Sequence, residues 1–452
     1  MNLLELLANV RIGNMNRYIY KSSAMKNEVL FIIFILILNL NRITSILSII
    51  ILFFYGKRNI ERSLKAIMYS FLISQLNTSI FSSNIGGLRT LLNLFLIINI
   101  LLNKQILNNF KRNKVALIII IFCIYIILSS IFVSWLPLVS IFKAIYFSSG
   151  FLAIFTSVRI NRKKNLAYWI NIYFKVIAII NLILMFFPQG YSTNKVALNG
   201  IFTNPNGFGI VMVLGCSIFL YSNIKDISKY NIVFAIISII EIFMSNSRTS
   251  IITLLLILLY YFLILKPITF QYNSRVLFKN LGLGCLIVSI LMISALIYKN
   301  NFKNLFAAKL LKGQTTDAIL YSREGQIDKF KNDFYSNKLL GVGFGVDGAN
   351  GRLQSFELKL SYPVERGNIV LAILSETGII GMIIFGVLVL YLFYYAKKDN
   401  YTKEFSYKLI FMISIILISF GEMTFFSANS LGVVQWFFIA LFANNNEVTD
   451  DY

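Results

Sequence analysis

Three groups of polar residues interrupt long apolar blocks in this chain, and each has a chemical reading. The first is FTNPNGFG, Phe202–Gly209. Asn204 precedes Pro205 and is biased toward extended backbone, and Asn206 can cap the helix that follows. A donor-rich helix start suits an anionic or sugar ligand. It serves equally as a plain loop-to-helix junction. The second group is SNSRTS, Ser245–Ser250, where Arg248 stands among hydroxyls and an amide. A single arginine between apolar blocks can snorkel to lipid headgroups. Glu241 lies two helical turns earlier in an apolar stretch, where a carboxylate is costly and marks a functional site by default. On one helix face the pair would be ~10 Å apart, so a structural ion pair that orients two helices is the other reading. The third group lies in and after a long polar stretch. It holds Arg323 in YSREGQIDKF, the glycines of LLGVGFG (Gly341, Gly343, Gly345), then YPVERGN with Glu365, Arg366 and Asn368, and finally Glu376. A glycine repeat alone is also what a flexible surface turn looks like.

The elements that position these groups follow from composition. Of 452 residues, 57% are hydrophobic and 13% charged. A soluble domain carries about 25% charged residues. The chain therefore reads as all-α, a polytopic transmembrane helical protein with 12–14 spans. Apolar windows fall at 64–82, 90–107, 115–133, 138–158, 166–187, 206–223, 231–245, 249–265, 280–298, 368–395, 409–427 and 431–443. The first apolar region, 29–55, is interrupted by Asn39, Asn41 and Arg42, and is one long helix or a short pair.

Charge sets the topology. Six loops (56–65, 103–114, 159–165, 224–230, 266–279, 396–408) hold 21 Lys+Arg, and the five alternating with them (83–89, 134–137, 188–205, 246–248, 428–430) hold 3. The positive-inside rule places the first set in the cytoplasm and the second outside. Arg11, Arg17, Lys21 and Lys26 put the N-terminus inside too, which favours the paired reading of 29–55. Met1–Val10 could lie on the inner membrane surface and lacks a cleavage site. Much of the net charge of +23 is this topology signal, reinforced by anionic lipid, and no nucleic-acid partner is implied.

One loop departs from the pattern. Residues 299–367 form an extracytoplasmic stretch of 69 residues with 11 Lys+Arg and 7 Asp+Glu. Ile319, Leu320, Ile327, Phe330 and Phe334 recur near helical spacing, which predicts an amphipathic helix ahead of the glycine turn. The chain thus divides into a transmembrane bundle (1–298), an extracytoplasmic loop carrying short helices (299–367) and C-terminal transmembrane helices (368–452). The chain has no histidine, which excludes a Ser-His-Asp triad and His-ligated metal. Cys123, Cys216 and Cys285 all lie in apolar blocks, against a disulfide framework or a zinc site.

The order of motifs carries a family resemblance. An Asn-Pro-Asn helix start is followed by SRTS between two short spans, a long outer loop with SR on an amphipathic helix, LLGVGFG, and E-x-G-x-x-G (Glu376, Gly378, Gly381). Over about residues 200–395 this resembles the O-antigen ligase and O-antigen polymerase family of bacterial membrane glycosyltransferases. The resemblance implies a multi-pass enzyme of the bacterial cytoplasmic membrane that takes an undecaprenyl-pyrophosphate-linked glycan outside the membrane, without cofactor or metal. The family's outer arginines map onto Arg248 and Arg323. Family members often carry His-Asn before the span that follows the loop, and here that dipeptide is Gly367–Asn368. Any base must therefore be another residue.

The residue chemistry fits this implication. A glycosyl group leaving a lipid pyrophosphate develops negative charge on phosphate, which arginines meet with bidentate donors. The acceptor hydroxyl needs a carboxylate within hydrogen-bond reach. Glu365 is the best placed, with Asp317, Glu324 and Asp328 as fallbacks. The expected catalytic residues are Arg248, Arg323 and Glu365. The expected substrate-binding residues are Asn204, Asn206, Glu241, Gly343, Gly345, Asn368 and Glu376. No Asp-x-Asp pair suggests a metal–nucleotide-sugar site. The favoured reading is a polymerase of lipid-linked repeat units for O-antigen, capsule or exopolysaccharide, because that activity exists in both envelope types. The alternatives are an O-antigen ligase acting on lipid A core and a lipid-linked oligosaccharide flippase, with which Lys143 and Lys175 inside spans are compatible. Partners would be membrane lipids and polysaccharide assembly proteins such as a flippase or a chain-length regulator.

Overall fold

The computed structural model describes residues 26–82, 85–110, 114–161, 166–192, 196–225, 230–266, 316–348, 367–399, 402–428 and 430–444. They form helices: α1 (26–38), α2 (Arg42–Lys57), α3 (Ile60–Ser74), α4 (Gly86–Leu101), α5 (Lys104–Phe110), α6 (Lys114–Val133), α7 (Pro137–Ile160), α8 (Leu166–Leu184), α9 (Pro205–Ile224), α10 (Asn231–Met244), α11 (Arg248–Tyr260), α12 (Thr316–Ser336), α13 (Ile369–Asp399), α14 (Thr402–Gly421) and α15 (Gly432–Ala443). The expected span at 280–298, Cys285, the N-terminal segment and most of the long loop lie outside the described residues.

The asparagines that interrupt the first apolar region make its turn. Asn39 is buried, and its amide donates to Ile35 O at 2.8 Å and Ser48 Oγ at 3.2 Å. Asn41 caps α2 by accepting from the Ile43 N–H at 3.0 Å. Region 29–55 is thus a helical pair, α1 and α2. The predicted amphipathic helix of the long loop is α12.

Among the described residues, seven helices are long and apolar enough to cross a bilayer: α6, α7, α8, α9, α11 with the π turn Tyr261–Leu265, α13 and α14. Three shorter apolar helices accompany them: α4, α10 and α15. Each expected apolar window within the described residues holds a helix, but 64–82 and 409–427 run on past the ends of α3 and α14, and not all the helices are full-length crossings. With 14 and 12 residues, α10 and α15 rise only about 21 and 18 Å, against a hydrocarbon thickness of about 30 Å. Polar turns at Ser245–Ser247 and Thr424–Ser430 cut them short.

Burial identifies the inner helices. In α9, 89% of the apolar window is buried, and every residue of α15 is buried. A helix apolar on all sides belongs inside a bundle. Around α9 stand α8, α10, α11 and α14, and α15 packs against α7, α14, α13 and α3. Hydroxyls and amides join helices within the apolar interior: Ser217 and Ser414 lie 2.6 Å apart across α9 and α14, and Asn171 donates to Asn231 at 3.2 Å across α8 and α10.

The two sets of loops separate in space as their charge predicts. At one end the Lys/Arg-poor connections bond to one another. Asn77 N–H donates to Ile201 O at 2.7 Å, Ser82 N–H to Asn39 O at 3.2 Å, Leu198 N–H to Met244 O at 2.9 Å, and Gln75 Nε2 to Ser430 Oγ at 3.1 Å. At the other, basic end, Lys65 pairs with Glu28 and Glu61, and Glu404 pairs with Lys225 and Lys408. In a cysteine-free background, a cysteine at exposed Leu339 should react with an impermeant thiol reagent in intact cells, and one at exposed Lys397 only after permeabilisation. The reverse pattern would invert the topology.

Candidate functional site

Two of the three polar groups meet at the Lys/Arg-poor end. The Asn204 carboxamide caps α9, accepting from the Asn206 N–H at 2.8 Å, and Pro205 occupies the first helical position, where its missing N–H costs nothing. Asn206 is left free to reach sideways, and its Nδ2 donates to Glu422 Oε1 at 3.2 Å. One turn into α9 the chain runs against SNSRTS: a Cβ on Gly209 would lie 2.6 Å from Ser250 Oγ and 2.9 Å from Ser245 Oγ. The turn between α10 and α11 passes through Asn246 at φ 53°, a left-handed conformation that asparagine tolerates. Ser245 accepts from the Ser247 N–H at 3.2 Å, and the Ser247 and Ser250 hydroxyls lie 2.8 Å apart.

This turn presents Arg248 as the first residue of α11. Its side chain is half-buried, and its Nε is shielded from solvent with no hydrogen-bond partner among the described residues. Thr249 beside it abuts Gly421 at the end of α14. A half-buried guanidinium with an unpartnered Nε, on a turn rich in hydroxyls, can receive a phosphate.

Glu241 is fully buried, and neither carboxylate oxygen has a partner among the described residues. The structural ion pair with Arg248 is therefore not formed. Glu241 contributes its backbone carbonyl to the turn, accepting from the Ser245 N–H at 2.9 Å.

The glycine loop forms a second assembly. Helix α13 is broken at Gly378 (φ 67°, ψ −170°), which frees backbone groups deep in the bundle. The segment after α12 fills the break. Val342 N–H donates to Ser375 O at 2.9 Å and Gly343 N–H to Glu376 O at 3.1 Å, while Ile379 N–H donates back to Lys338 O at 2.9 Å. The Glu376 carboxylate accepts from the Gly345 N–H at 2.8 Å. Lys143 of α7 donates to Gly345 O at 2.6 Å and Ser140 to Phe344 O at 2.8 Å. Helix α12 holds the far side, with Lys329 paired to Asp347 at 2.5 Å and Asp333 accepting from the Gly348 N–H at 3.0 Å. Gly343, Gly345 and Glu376 thus come together as an anchor of backbone and charge. The anchoring of Lys143 removes one of the two basic residues that suited a transporter, and the other, Lys175, sits 5.2 Å from the Phe234 ring.

The two assemblies flank the segment 422–430. Its Phe426 ring lies 5.2 Å from Phe344 of the glycine loop, while its Glu422 meets Asn206. Asn368 caps α13, accepting from the Val370 N–H at 2.8 Å, and its amide donates to Phe420 O at 2.9 Å, tying α13 to α14. Arg323 and Glu324 lie on α12, which packs against α13. Asp317 is at its start, and Asp328 pairs with Lys331 at 3.6 Å. Glu365 lies outside the described residues. Sequence reasoning missed Glu422, although a carboxylate closing the apolar window 409–427 was the same signal that singled out Glu241.

The order of these pieces along the chain, from the turn at Ser245 to the broken helix, coincides with one family. Residues 233–386 match the family model described as O-antigen ligase. The chain carries an O-antigen ligase family domain. It is a multi-pass membrane protein, and the matched stretch begins within α10 and ends within α13, so it contains Arg248, Arg323, the glycine loop and the break. No curated protein matches the chain.

The break is testable as an anchor. A Cβ at Gly378 would lie 2.2 Å from Leu339 O at a positive φ, whereas one at Gly386 in the same helix meets nothing within 4 Å. Gly378→Ala should destabilise the protein by about 1–3 kcal/mol, and Gly386→Ala should be neutral or stabilising. Thermal denaturation in detergent compares the two.

Proposed function

We propose that this protein transfers a glycan from undecaprenyl pyrophosphate to an acceptor hydroxyl at the Lys/Arg-poor, extracytoplasmic end. The observation that carries the reading is Arg248: an arginine with an unpartnered Nε on the hydroxyl-rich turn Ser245–Ser250, within the family-matched segment. In the reaction the bond between sugar C1 and the pyrophosphate oxygen breaks, and a bond from C1 to the acceptor oxygen forms. The leaving pyrophosphate gains negative charge, which Arg248 and Arg323 receive. The hydroxyl proton passes to a carboxylate. The loop anchor at Glu376 and Lys143 follows α12, the helix that carries Arg323 and packs against α13, which supports a role for Arg323 in the same site. This requirement for both arginines separates a transferase from a scaffold.

The description of the matched family favours the ligase reading, transfer to lipid A core, over the polymerase reading. The preference for polymerase rested on composition and envelope type, not on any residue. The two differ only in the acceptor, so a reconstituted assay with undecaprenyl-pyrophosphate glycan as donor should offer both acceptors in parallel. Arg248→Lys and Arg323→Lys keep the charge and lose the bidentate fork. Each should lower transfer at least ~100-fold while the protein level in the membrane holds. Full product from either variant would remove that arginine from the reaction.

Glu365 is the proposed base, and Glu422 is the rival that the fold places beside Asn206. Gln replacements keep size and hydrogen bonding but cannot accept the proton. Loss of the base should cost about 10²–10⁴ in rate, and loss of a hydrogen-bonding neighbour far less. Turnover rates for Glu365→Gln and Glu422→Gln therefore assign the role, and near wild-type rates in both would mean that no carboxylate here acts as base.

A further inference from the structure

A cavity of about 570 Å³ lies at the Lys/Arg-poor end, outside the family-matched stretch, where α2 and α4 begin and α3 ends. Arg42 and Arg89 line it together with Ser74, Thr78, Ser82 and Thr203, and among the described residues no carboxylate does. Neither arginine is in an ion pair among the described residues, and the Arg89 Nε is shielded from solvent without a hydrogen-bond partner. Arg42 and Gly86, the first residues of α2 and α4, both line it, so two helix N-termini abut the cavity, and that of α4 has no side-chain cap. Two unspent guanidinium forks, four hydroxyls and the absence of any acid define a site for phosphate.

The surroundings say which kind of phosphate. Leu40 and Ile43 at the α1–α2 turn, and Leu88 and Leu91 on the first turns of α4, are exposed large apolar side chains. A hydrocarbon tail can lie along them while its headgroup enters the cavity. Thr203 of the cavity wall donates its N–H to Gln75 O at 2.8 Å, the next residue, Asn204, caps α9, and one turn on Gly209 packs against Ser245 and Ser250 of the turn that carries Arg248. The start of α9 thus links the cavity to that turn, and lipids held at the two would present their glycans at the same Lys/Arg-poor end.

We propose that this cavity is a second lipid-phosphate site, which takes the phosphorylated headgroup of the acceptor lipid. The acceptor assignment rests on the transferase reading above, whereas the existence of the site does not. Native mass spectrometry of the full chain in phosphatidylcholine nanodiscs counts bound lipids directly. Undecaprenyl pyrophosphate and phosphorylated lipid A are offered separately and together. The wild type should hold one copy lost in Arg248→Gln and a further copy, of one lipid or the other, lost in Arg42→Gln/Arg89→Gln. Affinity for that further copy should fall at least ~10-fold in the double variant. Gly86→Asp is the second variant: Gly86 lines the cavity, its Cβ would meet nothing within 4 Å, and an acid in the first turn of α4 favours the helix. It should expel the same copy without lowering Tm. Which lipid occupies the cavity then separates polymerase from ligase. A wild type with no copy that depends on Arg42 and Arg89 overturns the site. Displacement of that copy by a tenfold excess of phosphatidylglycerol overturns the acceptor assignment and makes the cavity a phospholipid site. A protein that binds both copies yet transfers no glycan overturns the transferase reading and leaves the second site standing.

Discussion

The break in α13 at Gly378 constrains the rest of the molecule. Backbone N–H and C=O groups inside a membrane protein must be bonded, because each one left bare in hydrocarbon costs several kcal/mol. A helix can therefore open there only if another part of the chain closes it. Here residues 338–343 do so, through four backbone hydrogen bonds with Ser375, Glu376, Ile379 and Ile380. The polar segment that follows α12 is in this way drawn into the bundle, and α12, which packs against α13, is held at a fixed place by Asp333 and Lys329. The glycines are the means: Gly341 at φ 74° and Gly378 at φ 67° approach so closely that a Cβ on either would strike the other segment's backbone.

Aromatic packing fixes the position of this closure. Phe344 enters the bundle between Phe147 (5.5 Å) and Phe426 (5.2 Å), and Phe147 in turn meets Trp436 of the fully buried α15. A polar loop with one aromatic side chain at its tip is thus anchored twice, by backbone pairing and by burial of a ring. The segment after α14 receives Phe344 through Phe426 and carries Glu422 to Asn206, so it touches both the loop anchor and the start of α9.

Much of this was legible in the residues. The alternation of basic and neutral loops predicted which connections share an end, because charge on short loops has no other use in a chain this apolar. Asn39 and Asn41 marked the interruption that proves to be a turn, and the start of α9 was marked too, although its cap is Asn204 and not the expected Asn206, and Asn368, expected to bind substrate, caps α13. Turns and caps leave such marks because a short amide that accepts from the second or third N–H is a local interaction. The spacing of Ile327, Phe330 and Phe334 predicted α12 for the same reason. What was not legible depends on partners far away in sequence. Glu376 stood out as a buried carboxylate that could bind substrate, yet its partner is the N–H of Gly345, a backbone donor with no signature of its own. Glu241 and Arg248 suggested a pair, but the α10–α11 turn gives them separate surroundings. The length of the apolar windows also overstated the crossings, because hydropathy does not say where a polar turn such as Ser245–Ser247 will end a helix short of the membrane surface.

Short helices give the site its depth. Because α10 and α15 have only 14 and 12 residues, the turn that follows α10 and the one that precedes α15 lie below the level that a full-length span would reach. Polar groups at that depth have less water to bond, so they bond to one another, as Ser245, Ser247, Ser250, Gln75 and Ser430 do. An arginine placed in such a layer has few competing ligands and a lower local dielectric, and both strengthen its hold on an arriving phosphate. A lipid-linked glycan carries its phosphate at the depth of the headgroups, with its chain in the hydrocarbon. On the transferase reading proposed above, a layer of bonded hydroxyls sunk between apolar helices, with unpartnered guanidinium Nε donors at Arg248 and Arg89, would meet such a substrate without requiring it to leave the membrane.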